Sequence, residues 1–276
     1  MKIEKINVVW HLAARGETYF CQDYPDKAID VNVNGTIQTL KIAKEFNCDH
    51  FFFADTSAEY DSLDFELYTN KSFATNRREL INYPSKERYA PTLETPMGYY
   101  AITKMAASQF VRSMGKDFGF GTTLFRYFNV CGPSQNLDRQ IPPVMGAFAS
   151  KMLNNENPII YGKGDKRRDF IHIDDVTDLH ILALNKRLEM KDTETFNIGT
   201  GTNYSVYEIY KLVAEYITGY KDELRWPNID YLPDFYGQAQ ITLADIYKTK
   251  KYFEWETKKI IEDMIKDTVE SIKSNA

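Results

Sequence analysis

Tyr100 and Lys104, in the stretch PMGYYAITKMAASQ, stand four residues apart. On a helix that spacing puts both side chains on one face, with the lysine ammonium near the phenol. A phenol ionises at about pH 10 and is a poor base at neutral pH, and a neighbouring ammonium stabilises its phenolate. Thr56, at the end of DHFFFADTS, supplies a hydroxyl. It can hold a substrate alcohol while the phenolate takes the alcohol proton and a hydride leaves for a nicotinamide ring.

The spacing alone says little, because the chain has 19 tyrosines and Tyr207/Lys211 and Tyr247/Lys251 repeat it. Context separates the first pair. It follows an apolar run ending in Thr56 and Ser57 and precedes another ending in RYFNVCGP. In an open α/β sheet ligands sit beyond the carboxyl ends of the strands, where these residues would converge. The two later pairs are read as surface features.

The elements that must position these groups follow from pattern. INVVWH over 6–11, DHFFFADTS and TTLFRYFNV are short β-branched or aromatic runs ending in small or polar residues, as buried strands ending at loops do. GTIQTLKIAKEF between the first two has Ile37, Leu40, Ala43 and Lys44 at helical spacing. Strand and helix alternate, which predicts parallel β-α-β units. Beyond Gly132 the pieces PIIYG, KRRDFIHIDDV, TFNIGTG and NIDYL read as short strands between helices at 142–154, 174–186, 205–218 and 257–273. The last of these helices carries Ile260, Ile261, Met264, Ile265, Val269 and Ile272 as one apolar stripe. No flexible linker marks the join, so the two lobes are expected to pack closely.

With 276 residues, 43% hydrophobic and a net charge of −5, the chain can bury a sizeable core and carries no overall basic field for nucleic acid. Cys21, Cys48 and Cys131 are dispersed, and His11, His50, His172 and His180 have no metal-ligand spacing. No metal, no nucleic acid and no membrane partner are expected. The absence of a long apolar window or a secretory signal pattern predicts a reduced, cytoplasmic setting.

HLAA, NVNGT, ADTSAEY, YYAITK, RYFNVCGP, RRDFIHIDDV, FNIGTG and ADIYKTKK run in one order along nearly the whole chain. In them the sequence resembles the extended short-chain dehydrogenase/reductases, in the NAD-dependent sugar-nucleotide epimerase/dehydratase branch, with the 4-epimerases as the nearest type. The resemblance implies Tyr100 as catalytic base and acid, Lys104 as the residue that lowers its pKa and grips the nicotinamide ribose, and Thr56 as the catalytic hydroxyl four residues before Tyr60. It implies that Leu12, Ala13, Ala14 and Asn32 line the cofactor, NAD in preference to NADP, and that Asn129 and Arg168 contact the nucleotide diphosphate of the substrate. Asp169, Asp174 and Asp175 are read as turn and cap residues. A homodimer is expected on the same ground.

The implied fold is α/β: a partial doubly wound, Rossmann-like parallel sheet missing its first strands, with a smaller C-terminal α/β substrate lobe. Residues 1–131 would form the cofactor-binding domain with the catalytic residues. Residues 132–276 would form mainly the sugar-nucleotide lobe, with possible crossovers back to the first. The family's opening G-x-x-G-x-x-G turn, which cradles the pyrophosphate, has no counterpart here. INVVW, matching the family's fourth strand, would then be an exposed apolar edge, so either the polypeptide is an incomplete version of a longer one or something else covers that edge.

Ser57 and Ala58 stand where the family's 4,6-dehydratases carry Asp-Glu, which disfavours water elimination. DFYGQAQITLAD lacks the arginine many members use to hold the nucleotide, and the Tyr60–Tyr100 connection is long. The expected activity is epimerisation of a nucleotide-activated sugar through a transient keto intermediate. The alternatives are a catalytically silent sugar-nucleotide-binding or assembly subunit, and a nucleotide-sugar oxidoreductase.

Overall fold

The three consecutive phenylalanines of β2 (His50–Thr56) show how the first sheet is filled from both sides. Side chains alternate along a strand, so Phe51 and Phe53 face one way and Phe52 the other. In the computed structural model, which describes residues 5–60, 84–87, 98–234 and 239–275, Phe51 and Phe53 pack with Leu40, Ala107, Val111 and Leu124. Phe52 packs with Phe125, Val176, Leu179, Phe196 and Phe253. All three are at most 1% exposed, and burying each stabilises the fold by about 1.5–3 kcal/mol.

The sheet has the order β1-β2-β3-β7 and is parallel throughout. Its other strands are β1 (Val8–His11), β3 (Gly121–Tyr127) and β7 (Thr193–Ile198). One layer is α3 (Gly35–Glu45) and α4 (Tyr99–Phe118). The other contains α6 (Ile173–Lys186) and α8 (Tyr247–Phe253). Short helices α1 (Thr18–Asp23) and α2 (Pro25–Ile29) lead from β1 into α3. Among the described residues β1 is an edge strand, yet Val8, Val9 and Trp10 are only half exposed. Trp10 lies 3.9 Å from the Phe52 ring and 4.5 Å from His180. α4 ends at Gly119, whose φ of 78° is the left-handed cap that glycine adopts without a Cβ penalty.

The second lobe holds β4 (Asn129–Cys131), β6 (Arg167–His172) and β8 (Asn203–Ser205) in one sheet, and β5 (Ile159–Tyr161) with β9 (Asp230–Leu232) in a parallel pair. α5 (Val144–Leu153), α7 (Val206–Thr218) and α9 (Ile261–Asn275) enclose a core of Phe148, Met152, Ile209, Val213, Met264 and Val269. Ser205 caps α7 in a reciprocal box with Glu208. The apolar stripe read for the last helix is one residue too long. Ile260 is 61% exposed and precedes the helix, while Ile261, Met264, Ile265 and Val269 are buried.

The chain does not divide into two consecutive halves, since β7 returns from the second lobe to pair with β3. Asp169, fully buried, fastens the lobes by accepting from the backbone N–H groups of Thr200 (2.8 Å), Gly201 (2.9 Å) and Ala244 (3.0 Å). Asp175 accepts from Lys258 and Lys259 N–H, so both acids are structural tie points between distant segments, beyond the turn and cap roles expected of them. Most of the Tyr60–Tyr100 connection lies outside the described residues.

Burial pushes the imidazoles of His11, His50 and His180 down to about 4, with Lys104 adding to the effect at His11 and Arg187 at His50. Each is held neutral on a hydroxyl: Thr36, Thr123 and Tyr127. An unfolded chain protonates its histidines near pH 6.5, the folded one near 4, so these groups withdraw stability as pH falls through that window. A His50→Asn variant should therefore lose less thermal stability than the wild type between pH 6.5 and 4. Parallel melting curves across the window would contradict this.

Candidate active site

Thr56 ends β2, in register with Tyr127 of β3, and its Oγ1 accepts from Ala58 N at 3.2 Å, which folds the chain into the turn Ser57–Tyr60. α4 begins at Tyr99, so Tyr100 and Lys104 occupy its first two turns beside the carboxyl ends of β2 and β3. Thr56 and Tyr100 line a cleft of about 780 Å³ that also takes in Ser57, Ala58, Asn129 and Arg168. Four cations border it, Arg139, Lys151, Lys166 and Arg168, and among the described lining residues there is no carboxylate. Lys166 and Lys151 are paired to Asp234 and Glu156, both at 2.5 Å. Arg168 also donates to the backbone oxygen of Arg167 at 2.9 Å.

Lys104 is 2% exposed. Its Nζ donates to the Ala54 carbonyl at 2.5 Å and sits 4.0 Å from the centroid of the Phe53 ring. Burial pulls its pKa down to about 8, while Asp55 and Glu59 push the other way. One acceptor leaves two of the three ammonium N–H directions for other use.

Leu12, Ala13 and Ala14 are exposed at the end of β1. Asn32 is 1% exposed, and its amide is committed within the protein. Its Oδ1 accepts from Arg15 N at 2.7 Å, and its Nδ2 donates to Arg15 O at 3.1 Å and to Thr103 Oγ1 at 2.9 Å. Thr103 in turn donates to Tyr100 O at 2.9 Å. Asn32 is thus a bracket between the loop after β1 and the first turn of α4.

The other two tyrosine–lysine pairs are local cation–π contacts, Lys211 at 5.7 Å from the Tyr207 ring and Lys251 at 5.9 Å from the Tyr247 ring. His172, Asp174 and Asp267 cluster as metal ligands can. However, the ammonium of Lys259 already bridges the two carboxylates at 3.5 and 2.9 Å, and His172 Nδ1 takes the Asp174 N–H.

Sequence reading missed three charged residues packed under α4. Asp55 and Glu59 are 3% and 1% exposed and both ion-pair with Arg126, at 3.2 and 2.7 Å. The available signal was two acids in a stretch, FFFADTSAEY, otherwise fit for burial, opposite an arginine inside the strand LFRYF.

Residues 1–199 match the model of the NAD dependent epimerase/dehydratase family. The chain belongs to this family. Among relatives of the epimerase/dehydratase family, it is 30% identical to the UDP-glucuronate 4-epimerase of Thermodesulfobacterium geofontis over 272 residues, 98% of this chain and 73% of that one. It is 27% identical to a putative UDP-glucose 4-epimerase of Methanocaldococcus jannaschii over 277 residues, 99% of this chain and 80% of that one. The UDP-glucose 4-epimerase of Thermotoga maritima, solved with UDP-glucose, superposes with a TM-score of 0.81 at 28% identity, covering 98% of this chain and 78% of that one. The α/β fold with its parallel sheet is that of this family. Among the described residues no helix is long and apolar enough to cross a membrane.

Proposed function

We propose that the protein is an NAD-dependent epimerase of a nucleotide-activated sugar, with Tyr100 as base and acid, Lys104 as its charged neighbour and Thr56 as the hydroxyl that orients the substrate alcohol. The observation that carries this is the meeting of Thr56 and Tyr100 in one cleft, with Lys104 one turn further along α4. NAD, when bound, accepts a hydride from the sugar carbon and returns it.

The residues present fit its nicotinamide end. Lys104 lies one turn below Tyr100 with one acceptor, Ala54 O, among the described residues, and Asn32 ties the exposed backbone of 12–16 to the first turn of α4. Tyr100 removes the hydroxyl proton and gives it back, and Thr56 hydrogen-bonds that oxygen. The cations Arg139, Lys166 and Arg168, with Asn129, suit a diphosphate. The turn residues after Thr56 that reach the cleft are Ser57 and Ala58, and among the described lining residues there is no carboxyl group to eliminate water.

Incubation with UDP-glucose and UDP-glucuronate, followed by proton NMR of the sugar, tests the reading. Inversion at the sugar carbon is expected for one of them, and net oxidation or elimination would overturn it. The second reading is a silent sugar-nucleotide-binding subunit. That reading predicts substrate binding without turnover in the same samples. Exposed Ile102 and Phe110 on α4, with Ile42 on α3, support a homodimer through these helices. The three free, buried cysteines support a reducing, cytoplasmic setting.

A further inference from the structure

Tyr100, Lys104, Ser108 and Arg112 recur every four residues and form one face of α4. Beneath that face lie Asp55 and Glu59. Arg126, directly opposite Asp55 in the sheet register, serves both acids. Its Nε donates to Asp55 Oδ2 and its Nη2 to Glu59 Oε2, while Nη1 is taken by Tyr60 Oη (3.1 Å) and Glu87 O (3.0 Å). That leaves Asp55 Oδ1 and Glu59 Oε1, both buried and without a hydrogen-bond partner among the described residues. The two carboxyl groups are neighbours on one guanidinium, 3.2 and 2.7 Å from Arg126, and the Ser108 hydroxyl above them donates to Met105 O at 2.9 Å. Two neighbouring buried carboxylates with a partnerless oxygen each are costly, and a proton on one acid, donated to the other, relieves both.

We propose that Glu59 carries a proton that it donates to the neighbouring Asp55 carboxylate, and that the two act as positioning residues that keep Lys104 charged beside Tyr100. This rests on the reading of Tyr100 and Lys104 given above. The charged and titratable groups facing the pair are Lys104 and Arg112 from α4, Arg126 from β3, and Tyr60 from the turn after β2; His11 of β1 faces Lys104. Burial and Asp55 push the Glu59 carboxyl up to about 8, against the pull of Arg126. Burial pulls Lys104 down to the same region, against Asp55 and Glu59. As pH rises, the shared proton leaves to solvent first. The new negative charge beside Lys104 then makes the loss of its own proton harder. The pair thus buffers the ammonium charge that Tyr100 depends on.

The test needs neither cofactor nor substrate. Carbon-13 NMR of the Glu59 carboxyl and the Lys104 ε-carbon, assigned by through-bond experiments, follows both protons in the folded chain. The Glu59 carboxyl should be in its acid form at pH 7 and ionise at about pH 8, with Lys104 still charged after it does. In Glu59→Gln, which mimics the protonated acid, Lys104 should lose its proton about one pH unit lower than in the wild type. A Glu59 carboxyl already ionised at pH 6, or a Lys104 transition unmoved in the variant, would overturn the proposal. If the variant fails to fold, the wild-type Glu59 titration decides alone. Normal titrations in a chain with no epimerase turnover would instead count against the functional reading.

Discussion

Tyr100→Phe is expected to lower kcat for sugar epimerisation by about 10²- to 10⁴-fold, the range a positioned acid–base group contributes. Phenylalanine keeps the ring and removes only the hydroxyl that exchanges the proton. Tyr100 sits half-buried at the start of α4, so the fold should tolerate the change. Substrate affinity should shift little, because the cations and Asn129 bordering the cleft are untouched. A fall in kcat at unchanged KM is the signature of an interaction made in the transition state. A variant retaining more than about a tenth of the wild-type kcat would remove Tyr100 from the role of base.

Arg126→Met is expected to cause the largest loss of stability of any substitution considered. Removing one partner of a buried ion pair costs about 3–5 kcal/mol, because the remaining charge is left in a medium that cannot solvate it. Here one buried guanidinium serves two buried carboxyl groups, and it also holds Tyr60 and the Glu87 carbonyl. The penalty belongs to carboxylate charge. Protonating the acids removes it, so the difference in unfolding free energy between variant and wild type should shrink as pH falls. Denaturant melts at pH 8 and pH 5 check this. A deficit that is small, or that grows in acid, would mean the arginine acts chiefly by packing.

The parts of the fold legible in the sequence are those fixed by short-range pattern. FFF in β2 announces burial on both faces because alternate side chains of one strand enter different layers, and the structure divides them in that way. Tyr100 and Lys104 were legible because helical periodicity alone sets their common face. The bracket made by Asn32 was not, since its partners Arg15 and Thr103 are 17 and 71 residues away and only the fold brings them together. The acid pair was hidden for a related reason: Asp55 sits at the polar end of a strand and Glu59 in the turn after it, and only the fold brings Arg126, 71 and 67 residues on, between them. The end of the apolar stripe at Ile260 was misread because periodicity does not say where a helix starts.

The central claim is that a hydride leaves a sugar carbon and returns to the same carbon on its other face. Nucleotide sugar deuterated at the epimerised carbon, incubated with the purified chain and NAD, tests it most directly. Proton and deuterium NMR of the product should show inversion with the deuterium retained at that carbon. Deuterium exchanged into solvent during inversion, or no inversion from a folded sample saturated with NAD, would contradict it.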